Sequence, residues 1–217
     1  MLMALHKIPE AQGLGRKSAY VARNRASLLR ATQAVLAENG PETSIDEFAQ
    51  RAEIAVSTIY KHFQNKEDLI DAAYIEAFRD WQEWVAPLLE GIKDPLVELI
   101  MPMRIFFRLG KTHPIYAAMF VRNISSTNKH FPQLEEGFAG ALNQLIKAKV
   151  LTVENSAIRL RGIFACINAG LAYQLLNPEA KESDSDVMVE VILEILGLSQ
   201  AKAKKIAHSP MPSLPNS

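Results

Sequence analysis

The side chains best suited to recognition chemistry lie in one short segment in the first third of the sequence. This segment places five hydrogen-bonding residues within six positions: Ser57, Thr58, Tyr60, Lys61 and His62. Hydroxyl, ammonium and imidazole groups of this kind suit contacts to DNA phosphates and base edges. Ile54, Ile59 and Phe63 lie among and beside them and would anchor the segment to a core. The pattern therefore indicates a short, anchored helix with a polar outer face.

Catalytic or metal chemistry is not indicated. The histidines are scattered and show no metal-ligand spacing; they are His6, His62, His113, His130 and His208. The single cysteine, Cys166, excludes a disulfide framework and any multi-cysteine metal site. The sequence contains no glycine-rich phosphate loop and no nucleophile elbow. We therefore expect neither an enzyme nor a bound cofactor.

Three predicted helices position the polar segment. The first runs roughly from Arg23 to Asn39 and is stopped by the following Gly-Pro pair. The second begins at Ser44, which forms a capping box with Glu47. A break at residues 53–55 separates it from a third helix, predicted from Val56 to His62. Two helices joined by so short a break have the layout of a helix-turn-helix.

These helices resemble a known DNA-binding domain. Residues 42–74 read ETSIDEFAQRAEIAVSTIYKHFQNKEDLIDAAY, and the most specific part runs from Tyr60 to Leu69. This run resembles the Tyr-x-His-Phe-x-x-Lys-Glu-x-Leu pattern of the TetR family of regulators. The resemblance implies an all-α chain, with an N-terminal three-helix helix-turn-helix DNA-binding domain followed by a larger helical ligand-binding and dimerisation domain.

The resemblance also implies which residues touch DNA. Phosphate contacts are expected from Ser44, Tyr60, His62 and Lys66. The candidates for reading base edges are Val56, Ser57, Thr58 and Lys61.

Three positions depart from the family pattern. Glu53 and Ser57 stand where glycine is usual, and Ala55 stands where serine is usual. An alanine cannot cap the recognition helix with its side chain, and losing such a cap costs about 1 kcal/mol. These departures leave the fold prediction intact and put the register of the base contacts in question.

The rest of the sequence predicts further helices and two flexible ends. A long fourth helix is expected from Asn65 to about Trp84, followed by helices at 95–109, 114–126, 132–149, 154–176 and 184–198. The predicted organisation is a flexible arm over 1–22, a DNA-binding domain over 23–66, a regulatory and dimerisation domain over 67–198, and a disordered Pro/Ser tail over 199–217.

The last predicted helix suggests a dimer. It is apolar nearly all round between Val187 and Leu198, apart from Glu190 and Glu194, so it must be covered on several sides. Its expected neighbour, the helix over 154–176, carries a stripe of small residues that allows close approach. The family resemblance implies a four-helix interface between two subunits. The alternative is a core helix of a monomer.

An apolar effector pocket is predicted in the regulatory part. The residues expected to line it are Trp81, Trp84, Met101, Phe106, Phe107, Met119, Phe120, Asn123 and Cys166. Possible polar anchors are Arg104, Arg108, His113, Asn123 and Asn168. Each of these side chains could equally belong to the ordinary core or surface.

Composition and charge are consistent with this organisation. Apolar residues make up 48% of the chain, and the net charge is zero. Residues 1–66 carry an excess of three positive charges, which suits an approach to DNA. No apolar run reaches the length of a membrane span, and no secretion signal is recognisable, so a cytoplasmic protein is expected.

Together these features predict a sequence-specific transcriptional regulator that binds a palindromic double-stranded DNA operator as a homodimer. A ligand-responsive repressor is the expected form, with a small apolar effector molecule as its second partner. The alternative is a helical dimeric module that binds small molecules or proteins without specific DNA binding.

Overall fold

The computed structural model describes residues 16–122 and 132–214, with side chains over 21–122 and 136–214. Within these ranges the chain forms eleven α-helices and one short 3-10 helix, and it contains no strand. The prediction of an all-α chain that begins with a three-helix helix-turn-helix domain is confirmed.

The first four helices begin and end at signals readable in the sequence. They are α1 (Arg16–Asn39), α2 (Ile45–Arg51), α3 (Val56–Ile59) and α4 (Lys66–Val85). Gly40 ends α1 with a left-handed φ of 82°, and its N–H donates to the Leu36 carbonyl at 3.0 Å. The predicted capping box of α2 is present: Ser44 N–H donates to Glu47 Oε2 at 2.9 Å, and Glu47 N–H donates to Ser44 Oγ at 3.3 Å.

Two helix boundaries near the N-terminus differ from the prediction. α1 begins at Arg16, seven residues before the predicted start, so part of the predicted arm is helical. Residues 16–22 contain no glycine or proline, and four of the seven are the strong helix formers arginine, lysine and alanine, which explains the extension. The rest of the predicted arm, residues 1–15, lies outside the described residues. At the other boundary, α3 ends at Ile59, and His62 N–H instead closes a tighter turn on the Ile59 carbonyl at 2.9 Å.

Among the described residues, seven α-helices follow α4. They are α5 (Pro95–Phe106), α6 (Leu109–Thr112), α7 (Pro114–Arg122), α8 (Pro132–Lys147), α9 (Ser156–Leu176), α10 (Glu182–Ile195) and α11 (Gln200–Ala207). The helix predicted over 95–109 is divided between α5 and α6. The division falls at Phe107 and Arg108, where the Arg108 side chain turns back and donates to the Arg104 carbonyl at 2.8 Å.

The predicted disordered tail is wrong over most of its length. α11 lies within it and buries Ala203, Ile206 and Ala207. These three positions have the i, i+3, i+4 spacing of a helix face, and this face packs against α10 and α5. The following residues continue along the protein, with Met211 and Leu214 packed against the core. The Pro/Ser composition of the segment had obscured this short apolar pattern.

α1 connects the two parts of the chain, because it packs against both α4 and α7. Gln33 Nε2 donates to the Ala73 carbonyl in α4 at 3.0 Å. The buried Tyr74 hydroxyl of α4 donates in turn to the Met119 carbonyl in α7 at 3.0 Å. Direct contacts therefore link α7 to both α1 and α4.

Replacing Gly170 by alanine is expected to lower the free energy of unfolding by about 1–3 kcal/mol, the usual cost of overpacking a core. A Cβ at this position would lie 2.6 Å from Phe107 Cε1 and 3.0 Å from Met188 Cγ. Gly140→Ala is the matched control, because that helical glycine has no atom within 4 Å of the added methyl. We expect the control to be stabilising by up to about 1 kcal/mol. Urea denaturation measures both, and equal effects would contradict close packing at Gly170.

Candidate nucleic-acid interface

Two of the three departures from the family pattern, Glu53 and Ala55, lie in the turn between α2 and α3, and the first has a strained backbone. Glu53 adopts a left-handed φ of 55°, a conformation in which glycine is favoured. Ala55 is the N-cap of α3 and makes no side-chain hydrogen bond. The recognition segment therefore begins without the local stabilisation that glycine and serine would provide.

The predicted DNA-binding residues of the recognition segment are exposed or half-buried, while their apolar neighbours are buried. Ile59 is fully buried and Phe63 nearly so, and these two side chains hold the segment to the core. Ser57 and Lys61 are exposed, and Tyr60 has 53% of its surface exposed. The half-buried members of the set are Val56, Thr58 and His62. The exposed and half-buried groups form a polar surface around α3 and the turn after it.

Lys66 has an internal contact that the sequence did not reveal. Its Nζ donates to the Pro41 carbonyl at 3.0 Å and to the Thr43 carbonyl at 3.1 Å. The side chain thus ties the start of α4 to the loop between α1 and α2. Ser44 follows this loop directly and is exposed, although its hydroxyl and amide are already engaged in the capping box.

One basic residue of α1 also supports the recognition segment. The Arg25 guanidinium lies over the Phe63 ring, 5.4 Å from its centroid. Arg23 is exposed on the same helix. The side chains of Arg16 and Lys17, at the start of the same helix, lie outside the described residues.

Three of the predicted effector-pocket residues form one aromatic cluster. The Trp81 and Phe106 rings meet edge to face at 5.3 Å, and Phe106 lies 5.8 Å from Phe120. Met101 and Met119 are also buried. The Trp81 indole Nε1 is buried and has no hydrogen-bond acceptor among the described residues. An unpaired N–H within an apolar cluster is a natural contact point for a ligand oxygen.

The other predicted pocket residues lie apart from this cluster. Trp84 is half-buried and meets the His113 ring at 4.9 Å. Phe107 packs beside Gly170 of α9. Cys166 is half-buried on α9, and burial raises the pKa of its thiol. Asn123 lies outside the described residues.

A second polar cluster surrounds His113. Its ring stacks on Tyr116 at 5.4 Å, and the Tyr116 hydroxyl donates to Asp80 Oδ2 at 3.0 Å. Burial lowers the pKa of His113, while the Asp80 carboxylate opposes that shift. Burial and then the same carboxylate raise the pKa of Tyr116 well above its usual range. At neutral pH the tyrosine therefore remains a hydrogen-bond donor that links α7 to α4.

Sequence reasoning missed the role of one acidic residue. Arg104 and Arg108 were considered as ligand anchors, but both are buried and bound to Asp186 of α10. In the helix predicted over 95–109, where Glu98 is the one other charged residue, two arginines at i and i+4 put two charges on one face, and burying that face requires an acidic partner. That signal was present in the sequence, although it did not identify which acid would pair with them.

The described residues contain neither a cluster of metal ligands nor a membrane-spanning helix. Among residues 21–122 and 136–214, no three histidine, cysteine or acidic side chains gather in a way that could hold a metal ion. In the part of the chain that is described, no helix is both long enough and apolar enough to cross a membrane.

Comparison with known proteins agrees with this geometry. A family model described as bacterial regulatory proteins, tetR family, matches residues 28–73. Among solved structures, RolR in complex with resorcinol has a TM-score of 0.72 at 20% identity, covering 91% of this chain and 100% of RolR. FadR from Bacillus subtilis in complex with stearoyl-CoA has a TM-score of 0.62 at 18% identity, covering 80% of this chain and 96% of FadR.

The fatty acid degradation regulator FadR from Bacillus halodurans has a TM-score of 0.58 at 18% identity, covering 79% of this chain and 97% of that one. No curated protein matches the sequence. At these identities the structural matches establish a shared fold, and the family match rests on the helix-turn-helix region.

Proposed function

We propose that this chain, whose residues 28–73 match the model of bacterial regulatory proteins of the tetR family, is a repressor that binds a palindromic operator as a homodimer. The observation that carries the proposal is the outward polar surface around α3, which is held in place by the buried Ile59 and Phe63. Exposed hydrogen-bonding groups on a short, anchored helix are what major-groove recognition requires.

The proposed DNA contacts follow from exposure. Ser57, Thr58 and Lys61 face the major groove and read base edges, with Val56 as an apolar contact. The phosphate contacts come from Ser44, Tyr60 and His62. Lys66 acts mainly as a positioning residue, because its ammonium group already holds the carbonyls of the α1–α2 loop. One of its three donors is left for a phosphate.

The proposed dimer interface is the exposed face of α9 and α10. Ile158, Tyr173 and Leu176 of α9 are exposed, as are Val187 and Val191 of α10. Between the large residues of α9 lie the exposed Ala165 and Ala169. A surface that combines large apolar side chains with a strip of small ones suits helix-on-helix packing against a second copy.

The proposed effector site is the Trp81–Phe106–Phe120 cluster. A small, mostly apolar molecule with one oxygen acceptor would satisfy the unpaired Trp81 N–H. Met119 and Phe120 belong to α7, which packs against α1. A molecule that moves α7 therefore moves the DNA-binding helices, and half-sites about 34 Å apart tolerate little change in spacing. The effector then lowers operator affinity by shifting the population of the dimer.

Selection of DNA from a randomised pool tests the proposal and its assignments together. We expect the wild-type dimer to select a near-palindromic site. Thr58→Ala and Lys61→Ala are expected to change the preferred bases and to cost about 1–3 kcal/mol on the original site. Tyr60→Ala should weaken binding to all sequences by similar factors, because phosphates carry no sequence information. Lys93→Ala changes an exposed lysine in the regulatory part and is the control. It should alter neither the preferred bases nor the affinity for DNA.

Two other outcomes would contradict the proposed function or the roles assigned to these residues. A dimeric wild-type protein that binds small molecules and selects no sequence would contradict the regulator and support a small-molecule-binding or interaction module. A change in preferred bases with Tyr60→Ala, but none with Thr58→Ala or Lys61→Ala, would reverse the proposed roles.

A further inference from the structure

A cavity of about 340 Å³ lies apart from the Trp81 cluster, where the C-terminal segment passes α6 and the start of α10. Its polar side is formed by Arg108, Lys111 and Glu182, and its apolar side by Met211 and Leu214. The volume lies at the lower end of the range found for small-molecule sites.

Arg108, which lines this cavity, belongs to a buried cluster with more positive than negative charge; the other members, Arg104 and Asp186, lie behind the cavity wall. Arg104 Nε and Arg108 Nη2 both donate to the same atom, Asp186 Oδ1, at 2.9 and 3.1 Å. Both guanidinium groups are more than nine-tenths buried. One carboxylate therefore serves two arginines, which leaves about one positive charge unbalanced in a poorly solvated place. Burying an unpaired charge is costly, so this arrangement favours a further anion.

The neighbouring groups do not remove this imbalance. Lys111 and Glu182 at the rim pair with each other, and the hydrogen bond from Lys111 lowers the pKa of Glu182, so together they add no net charge. Glu190 lies one helical turn beyond Asp186 and is bound by His208 at 2.6 Å. The remaining contacts of Arg104 and Arg108 are to the neutral oxygens of Ser209, of Arg104 itself and of Glu182.

The backbone at the start of α10 also contributes positive electrostatic potential to the cavity. The cavity is bordered by Glu182, the first residue of the fourteen-residue α10. A helix N-terminus carries a partial positive charge from its free N–H groups. Arginine, lysine and a helix start thus converge on one side of the cavity, while methionine, proline and leucine from the C-terminal segment line the other.

We propose that this cavity binds a small organic monocarboxylate. The carboxylate lies between Arg108 and Lys111, where it balances the extra positive charge, and the apolar body packs against Met211 and Leu214. A single negative charge matches the single unbalanced positive charge. Arg108 uses three of its five N–H donors on Arg104, Glu182 and Asp186, which leaves donors for a carboxylate. None of the residues that line this cavity belongs to the proposed effector cluster, and the binding test below needs no DNA.

Calorimetric titration of the full chain with octanoate and benzoate tests the proposal, with octanamide and benzamide as neutral counterparts. We expect saturable binding of the acids and none of the amides at equal concentration. Lys111→Gln should weaken binding by roughly three- to fivefold, the size expected for one mostly exposed charge. Glu182→Gln should strengthen it by a similar factor, because it removes the competing carboxylate.

The two rim variants change exposed side chains, so loss of folding is not expected to obscure the result. Lys202→Gln removes the same charge from an exposed position of α11 outside the cavity and should leave the affinity unchanged. Absence of saturable binding by either acid, equal binding of acid and amide, or equal affinities in Lys111→Gln and Glu182→Gln would each overturn the proposal.

Discussion

Replacing Asp186 by asparagine is expected to lower the free energy of unfolding by about 3 kcal/mol. Asp186 is the carboxylate that Arg104 and Arg108 share, and both arginines are buried. Removing one partner of a buried ion pair leaves uncompensated charge in a low-dielectric environment, which typically costs about 3–5 kcal/mol. The lower end of this range applies because Asp186 keeps 14% of its side chain exposed. Urea denaturation at pH 7 measures the change.

Two controls separate this effect from a general effect of removing an acid. Glu194→Gln changes an exposed carboxylate on the same helix and should shift stability by no more than about 0.5 kcal/mol. The double variant Arg104→Gln/Asp186→Asn should recover part of the loss, because it removes one of the two stranded charges. A loss below about 1 kcal/mol in Asp186→Asn, or no recovery in the double variant, would show that another group balances the arginines.

Replacing Ala169 by glutamate is expected to convert the protein into a monomer and to lower operator affinity by a factor of about 10²–10⁴. Ala169 is exposed on the face of α9 that we propose as the dimer interface. Each subunit would bring an unpaired carboxylate into an apolar contact, which is strongly unfavourable. A monomer binds one half-site and loses the gain from linking two recognition helices. Sedimentation and DNA binding measured at the same protein concentration test both effects.

Ala201→Glu provides the matched control. It makes the same substitution at an exposed position of α11, which lies against the other side of α10. We expect this variant to remain a dimer and to bind DNA normally. If Ala169→Glu also remained a dimer, the interface would have to lie elsewhere on the protein.

The parts of the structure that could be predicted from the sequence depend on neighbouring residues. The capping box at Ser44 and Glu47 was readable because both partners lie within one helical turn. The outward face of α3 was readable for the same reason, since Ile59 and Phe63 define the buried side within one turn. The TetR-like run from Tyr60 to Leu69 added the expectation of a family fold, and the match at residues 28–73 agrees with it.

The features that could not be predicted depend on residues far apart in the sequence. Trp84 is separated from Trp81 by less than one turn, yet only the packing of α7 decides that it meets His113 rather than the Phe106 cluster. The internal contact of Lys66 was similarly hidden, because it reaches a carbonyl 25 residues earlier. Helical periodicity identifies a buried face but does not identify what covers it.

The ion pair between α5 and α10 also constrains the order of events while the protein is being made. Asp186 follows Arg104 by 82 residues, and Ser209 follows it by 105. At about 5–20 residues per second, a ribosome needs roughly 4–16 s to extend the chain from Arg104 to Asp186. During that interval Arg104 and Arg108 have no Asp186 carboxylate to pair with. The helix-turn-helix can therefore be complete while the regulatory half still lacks Asp186 and the C-terminal segment. At that time the incomplete regulatory half is the part of the nascent chain that offers a chaperone the most exposed surface.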